Sequence, residues 1–80
     1  MKRLLSIEVE FDVDSAAERA VADWLRTWRR REVRSNGKAR YPYQEVVKLL
    51  YFQAPAEAVA DLEARLRGYP ASAVRRLASL

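Results

Sequence analysis

The chain contains neither cysteine nor histidine, and these two absences exclude much of protein chemistry. Without cysteine there is no disulfide framework, no thiolate metal ligand and no thiol nucleophile. Without histidine there is no imidazole base for a catalytic triad and no imidazole ligand for zinc. We therefore expect no bound metal, no cofactor and no enzymatic activity. The lack of cysteine also favours a cytoplasmic location.

Long apolar runs are absent as well, and the chain has only two glycines and three prolines. A helix that crosses a bilayer needs about 20 apolar residues in a row, so we expect no membrane partner. Half of the 80 residues are hydrophobic and 32% are charged. That composition is typical of a folded soluble protein, and residues 1–80 are expected to form a single domain.

The first half of the chain predicts a strand followed by a helix. Apolar and polar residues alternate from Leu5 to Val13, which is the pattern of a half-buried strand. Ser15 and Glu18 have the spacing of a capping box, so a helix should begin there and run to about residue 30. Trp24 and Trp28 lie on the apolar stripe of this helix and are expected to pack in the core.

The second half predicts a hairpin, a strand and two more helices. Asn36-Gly37 favours a tight hairpin turn in which Ser35 faces Lys38 and Val33 faces Arg40. A central strand is expected over residues 45–53, a helix after Pro55, and a short C-terminal helix after Pro70. The order β-α-β-β-α plus a short C-terminal helix predicts an α+β protein. It matches a small ferredoxin-like half sandwich, with an antiparallel-rich sheet and helices on one face.

Acidic residues form a ladder on one face of the first predicted strand. The ladder consists of Glu8, Glu10 and Asp12, with Lys48 as the expected counter-charge. Like charges in a row repel each other, so this face should be solvated or paired with cations. Binding of a divalent metal, acid–base catalysis and contact with a basic protein surface are the functional alternatives.

Positive charge is concentrated between residues 26 and 40, where seven residues are basic and one is acidic. Cations complement the C-terminal end of a helix dipole, but the later members of this run lie beyond the predicted helix. Arginine and tyrosine are favoured anchors at protein interfaces, whereas basic and aromatic side chains together also suit nucleic acids. The predicted partner-binding residues are Arg26, Arg29, Arg30, Arg31, Arg34, Lys38, Arg40, Tyr41 and Tyr43.

The C-terminal segment Leu62–Leu77 carries Leu62-Glu63, Gly68, Pro70, Ser72 and Arg76-Leu77. In this pattern it resembles the end of a small phage anti-CRISPR protein that binds a type I surveillance complex. Inhibitors of type I-C systems are similar to this chain in length. The resemblance implies a non-enzymatic inhibitor that acts in the host bacterial cytoplasm, docks on a subunit of that complex and blocks target DNA. The predicted hairpin edge could pair with a second copy, or its lysine and arginine charges could prevent such pairing, so both a monomer and a dimer stay open.

Two other functions stay open from the sequence. A small basic nucleic-acid-binding regulator would use the same arginines to contact phosphates. The chain is also similar in size to the ferredoxin-like nucleases of CRISPR adaptation modules, which carry an aspartate at the end of the first strand. That resemblance implies a metal-dependent nuclease with Asp12 or Asp14 in that place, and Glu10 beside it.

Overall fold

A computed structural model describes residues 3–28 and 33–77 of the chain. Within these ranges the order is strand, helix, two strands, helix, strand. The elements are β1 (Leu4–Asp12), α1 (Ala16–Trp28), β2 (Arg34–Ser35), β3 (Val47–Pro55), α2 (Ala56–Leu66) and β4 (Ala73–Arg76).

The four strands form one antiparallel sheet in the order β2-β3-β1-β4. Together with the two helices this arrangement is the ferredoxin-like half sandwich that the sequence predicts. The first helix begins as expected, because the backbone N–H of Glu18 donates to Ser15 Oγ at 3.2 Å. The Glu18 carboxylate in turn accepts a hydrogen bond from the backbone N–H of Asp14 at 2.6 Å.

One face of the sheet packs against both helices and forms the core. Ile7, Val9 and Phe11 of β1 are at most 1% exposed, as their alternation with polar residues predicts. Trp24 is fully buried at an edge-to-face contact with Phe52, their ring centroids 5.3 Å apart. Within residues 3–28 and 33–77 no helix covers the other face of the sheet, since α1 and α2 lie on the same side, and we call it the open face.

The predicted C-terminal helix is wrong, because residues 73–76 form β4 instead. This strand pairs with β1 in the register Val9↔Val74 and closes the βαββαβ order. Backbone N–H and C=O groups along β1 need partners, and β4 supplies them on the side away from β3.

The predicted hairpin at Asn36-Gly37 is also wrong. Arg34 pairs with Gln53 and Arg40 forms a bridge with Leu49, so both ends of this segment run along β3. Gly37, with φ of +102°, lies in a bulge of the edge between those two contacts. The chain turns later, within residues 41–46, where Gln44 and Glu45 have positive φ.

Candidate partner-binding surface

Strand register decides which side chains share the open face of the sheet. Directly paired residues of neighbouring strands point to the same side, and successive residues alternate. Glu10 of β1 pairs with Leu49 of β3, and Leu49 also pairs with Arg40. These three residues therefore form one row across the open face. The next row along the strands contains Tyr51, Glu8 and Arg75.

The acidic ladder lies on this open face, but its counter-charge is Arg75 rather than Lys48. Arg75 Nη1 lies 2.8 Å from Glu10 Oε1 and 3.1 Å from Glu8 Oε1. The hydrogen bond to Glu10 raises the pKa of Arg75, against an opposing effect of partial burial. Lys48 is paired with Phe11, so it points to the helical side, where its Nζ lies 3.6 Å from Glu18 Oε2.

Arg75 has a consequence for metal binding. Its guanidinium stands between Glu8 and Glu10, where a divalent cation bound by both carboxylates would lie. Within residues 3–28 and 33–77, no group of three or more acidic side chains is placed to hold a metal ion. Asp12 is exposed at the end of β1, and Asp14 lies in the following turn with φ of 58°.

Tyr51 occupies the middle of the open face. Its hydroxyl donates to Glu8 Oε2 at 3.0 Å, and the guanidinium carbon of Arg40 lies 5.9 Å from its ring centroid. Partial burial and the hydrogen bond to Glu8 raise the pKa of Tyr51, while Arg40 lowers it. Arg40, Tyr51, Glu8 and Arg75 thus form a continuous chain of cation–π, hydrogen-bond and ion-pair contacts from the edge residue Arg40 across β3 and β1 to β4.

The predicted basic residues are divided between two places. Arg34, Lys38 and Arg40 are exposed along the β2 edge of the sheet. Arg26 lies in the helical layer, on α1, and pairs with Asp23 of the same helix. The predicted residues Arg29, Arg30 and Arg31 lie outside the described residues.

The two predicted tyrosines lie beside the β2 edge, at the turn before β3. Tyr43 is 62% exposed and Tyr41 is 46% exposed, and Val46 in the same turn is 61% exposed. Lys48 Nζ lies 5.8 Å from the ring centroid of Tyr41. We call the surface formed by Arg34, Lys38, Arg40, Tyr41 and Tyr43 the tyrosine–arginine edge.

The tryptophans belong to the packing of α1 on α2, as the sequence predicts. Trp24 Nε1 donates to the backbone carbonyl of Ala58 at 2.7 Å, and Trp28 Nε1 donates to Asp61 Oδ2 at 2.7 Å. Arg65 Nε also contacts Asp61 Oδ2, at 3.1 Å. The bond from Trp28, followed by the contact with Arg65, lowers the pKa of Asp61. These side chains join the two helices.

Two contributors to the open face, Tyr51 and Arg75, are missing from the residues that the sequence predicts. Tyr51 lies in the strand expected over residues 45–53, but its position opposite Glu8 depends on a register that one sequence does not show. Arg75 lies in the segment expected to be helical, and the alternation of Ala73, Val74 and Arg75 is too short to have indicated a strand.

Comparisons with known proteins bear on the fold alone. No protein-family model matches this chain, and no curated protein matches its sequence. Its structure is similar to that of the uncharacterized protein TM1266 from Thermotoga maritima, with a TM-score of 0.63, 17% identity and 96% of each chain covered. It is also similar to the de novo designed protein Foldit4, with a TM-score of 0.52, 17% identity and full coverage of both chains. No helix in the described ranges is long and apolar enough to span a membrane.

Proposed function

We propose that this chain is a non-enzymatic binding protein that docks on an acidic surface of another protein through its tyrosine–arginine edge. The observation that carries the proposal is the exposure of Tyr41, Tyr43 and Val46 in one turn, next to three exposed cations. Large apolar side chains that stay accessible together are typical of interaction sites. Tyrosine and arginine are also enriched among residues that contribute most to binding.

The charges around this edge favour a protein over a nucleic acid. Arg34 and Arg40 point to the same face as Glu8, Glu10 and Asp12, which lie two strands away. A phosphate backbone laid across this face would meet the carboxylates as well as the arginines. A protein surface, by contrast, can place opposite charges against each of them.

The particular partner we propose is a type I CRISPR surveillance complex in the host bacterial cytoplasm, with the chain acting as a phage inhibitor of target DNA binding. The support is the resemblance of Leu62–Leu77 to the end of a small anti-CRISPR protein, together with the small size and the cationic edge. In this chain the segment comprises the end of α2, a turn and β4, so it continues into a strand and not into a second helix.

The direct test is a pull-down and a binding titration with purified type I complexes, including a type I-C complex. Replacing Arg34 and Lys38 together by Glu reverses charge on the edge and is expected to abolish binding. The matched control is Arg19→Glu with Arg67→Glu, which makes the same charge change at two exposed sites of the helical layer. The proposal fails if the edge variant binds as well as the control, or if the unmodified chain binds no such complex.

A small nucleic-acid-binding regulator is the second candidate, favoured by the exposed ring of Tyr43 beside cations on a strand edge. Fluorescence anisotropy with labelled single-stranded DNA, duplex DNA and RNA separates the two functions. Phosphate contacts release counterions, so affinity for nucleic acid falls steeply between about 50 and about 200 mM salt. Binding that persists at the higher concentration would replace the protein partner with a nucleic acid.

A further inference from the structure

The open face of the sheet has an ordered distribution of charge and apolar surface. Its middle strand, β3, presents Val47, Leu49 and Tyr51, all partly buried. On one side of β3 lies the edge segment that contains β2, and it presents Arg34 and, at the isolated bridge, Arg40. On the other side lies β1, which presents the acidic ladder. Positive charge, apolar surface and negative charge therefore follow one another across three adjacent strands.

The charges of this face balance, although the whole chain has a formal charge of +4. Among the described strand residues and the bridge at position 40, three arginines and three carboxylates point to the open side. A second copy of the chain would therefore meet no net repulsion here. The charged residues are Arg34, Arg40, Arg75, Glu8, Glu10 and Asp12.

We propose that the open sheet face binds a second copy of this chain, with a two-fold axis parallel to β3 between the two sheets. Rotation by 180° about such an axis places β3 over β3 of the other copy. It also exchanges the two flanking segments, so that the basic edge, with Arg34 of β2 and Arg40 at the isolated bridge, lies over β1 of the other copy. Each contact then occurs twice, as in any two-fold interface.

The register provides one direct match of opposite charges, while Arg34 lies in the row of Gln53 and Ser6 and would lie over Ser6 of the second copy. A rotation about an axis along the strands keeps every row at its own height. Arg40, Leu49 and Glu10 occupy one row, so Arg40 lies over Glu10 of the second copy and Leu49 lies over its own equivalent. Facing sheets pack about 10 Å apart, a gap that interdigitating side chains from both faces fill. Glu10 can accept from Arg40 of the second copy and from its own Arg75, because a carboxylate has several acceptor sites.

The edges of the sheet are less suitable for self-association. The described part of the β2 edge carries Arg34 and Lys38, and the β4 edge carries Arg75 and Arg76. Pairing either edge with its own copy would bring like charges together, an arrangement that discourages edge-to-edge contact. The charge balance of the open face and the positive charge of both edges therefore favour the open face as the surface that a second copy contacts.

The size of the face predicts a weak dimer. The rotation overlays β2, β3 and β1 and leaves β4 beyond the contact. Three strands about 4.8 Å apart and at most about 30 Å long give a contact face of at most roughly 430 Å² in each copy. The pair would bury at most about 860 Å² in total, an area typical of weak and transient contacts. The inference does not depend on the proposed function. Because Arg40 also belongs to the tyrosine–arginine edge, an acidic partner and the second copy would compete for it.

The test uses two single charge reversals, Arg40→Glu and Glu10→Arg, and sedimentation equilibrium over a range of protein concentrations. Each reversal alone places like charges together at both symmetric contacts, and we expect it to weaken the dimer at least about tenfold. An equal mixture of the two variants restores opposite charges at both contacts, so the mixture should form heterodimers. Arg19→Glu, on the exposed side of α1, is the control and should leave the dimer unchanged.

Folding is monitored by circular dichroism, because position 10 also faces Arg75 and its reversal stresses the monomer. Leu49→Asp provides a second variant that avoids this contact and places two like charges together on the axis. It should abolish the dimer while keeping the fold. The inference is overturned if the unmodified chain is monomeric at several hundred micromolar, if the variants dimerise normally, or if the mixture fails to recover.

Discussion

The acidic ladder of β1 is stabilised by Arg75, and this assignment predicts a specific energetic coupling. Replacing Arg75 by Gln removes two ion pairs, those with Glu10 and Glu8 at 2.8 and 3.1 Å. The side chain of Arg75 is 49% exposed, so solvent screens both pairs. Surface pairs of this kind contribute about 0.5 kcal/mol each, and the substitution should cost about 1 kcal/mol in free energy of unfolding.

The assay is a double-mutant cycle measured by urea denaturation at low protein concentration. Combining Arg75→Gln with Glu10→Gln should cost less than the sum of the two single changes, by about 0.5 kcal/mol. For a domain of this size, the loss of Arg75 alone should lower Tm by about 5 °C. Both the coupling energy and the decrease in Tm should be smaller in high salt, because salt screens exposed ion pairs.

A second cycle provides the comparison. Lys48 points to the helical side of the sheet, so Lys48→Gln and Glu10→Gln should act additively. The assignment is refuted if Glu10 couples to Lys48 and not to Arg75. It is also refuted if Arg75→Gln leaves the free energy of unfolding unchanged at low salt.

Three further predictions concern single side chains. The hydrogen bond from Trp28 lowers the pKa of Asp61 in the folded chain below its ordinary value of 3.8. The ionised carboxylate therefore stabilises the fold at any pH above 3.8. This stabilisation is lost as the pH falls through the lowered pKa of the folded chain. Asp61→Asn should therefore destabilise the chain at pH 7, and this cost should shrink as the pH falls below 3.8, as denaturation measured across that range would reveal. Gly37→Ala should lower the free energy of unfolding by about 1 kcal/mol. A Cβ at this position would meet no atom within 4 Å, so the cost comes from the positive φ alone, and thermal unfolding would measure it. Glu8→Gln should lower the pKa of Tyr51, which a spectroscopic titration of the phenol would detect; an unchanged titration would refute the contact.

Much of the architecture could be predicted from the sequence, because several elements have strong local patterns. The alternation in β1 predicted both the strand and its buried face. The stripe of Val59, Leu62 and Leu66 predicted the buried side of α2. The apolar character of residues 46–52 predicted a central strand, and β3 lies between β2 and β1.

The errors arose where tertiary pairing outweighs a local signal. Ala73–Arg76 contains good helix formers, yet β1 offers unpaired backbone groups along its outer side, and the segment pairs there. Asn36-Gly37 has the sequence of a tight turn, yet the segment on each side of it pairs with the long strand β3. The actual turn includes Gln44 and Glu45 at positive φ, and neither residue type indicates such a conformation.

The candidate site was predictable in composition and only partly in arrangement. Arg34, Lys38 and Arg40 lie together along one edge near the predicted tyrosines, whereas Arg26 lies on α1. Tyr51 joined the site only through its place opposite Glu8. Cross-strand neighbours of this kind are set by register, which composition and spacing do not determine.

The measurement that tests the account most directly is the affinity of the chain for a purified type I surveillance complex, before and after charge reversal at Arg34 and Lys38. We expect the unmodified chain to bind, the edge variant to lose binding, and the matched Arg19 and Arg67 variant to retain it. Equal binding by both variants would contradict the assignment of the docking surface. A lack of binding by the unmodified chain would contradict the proposed partner.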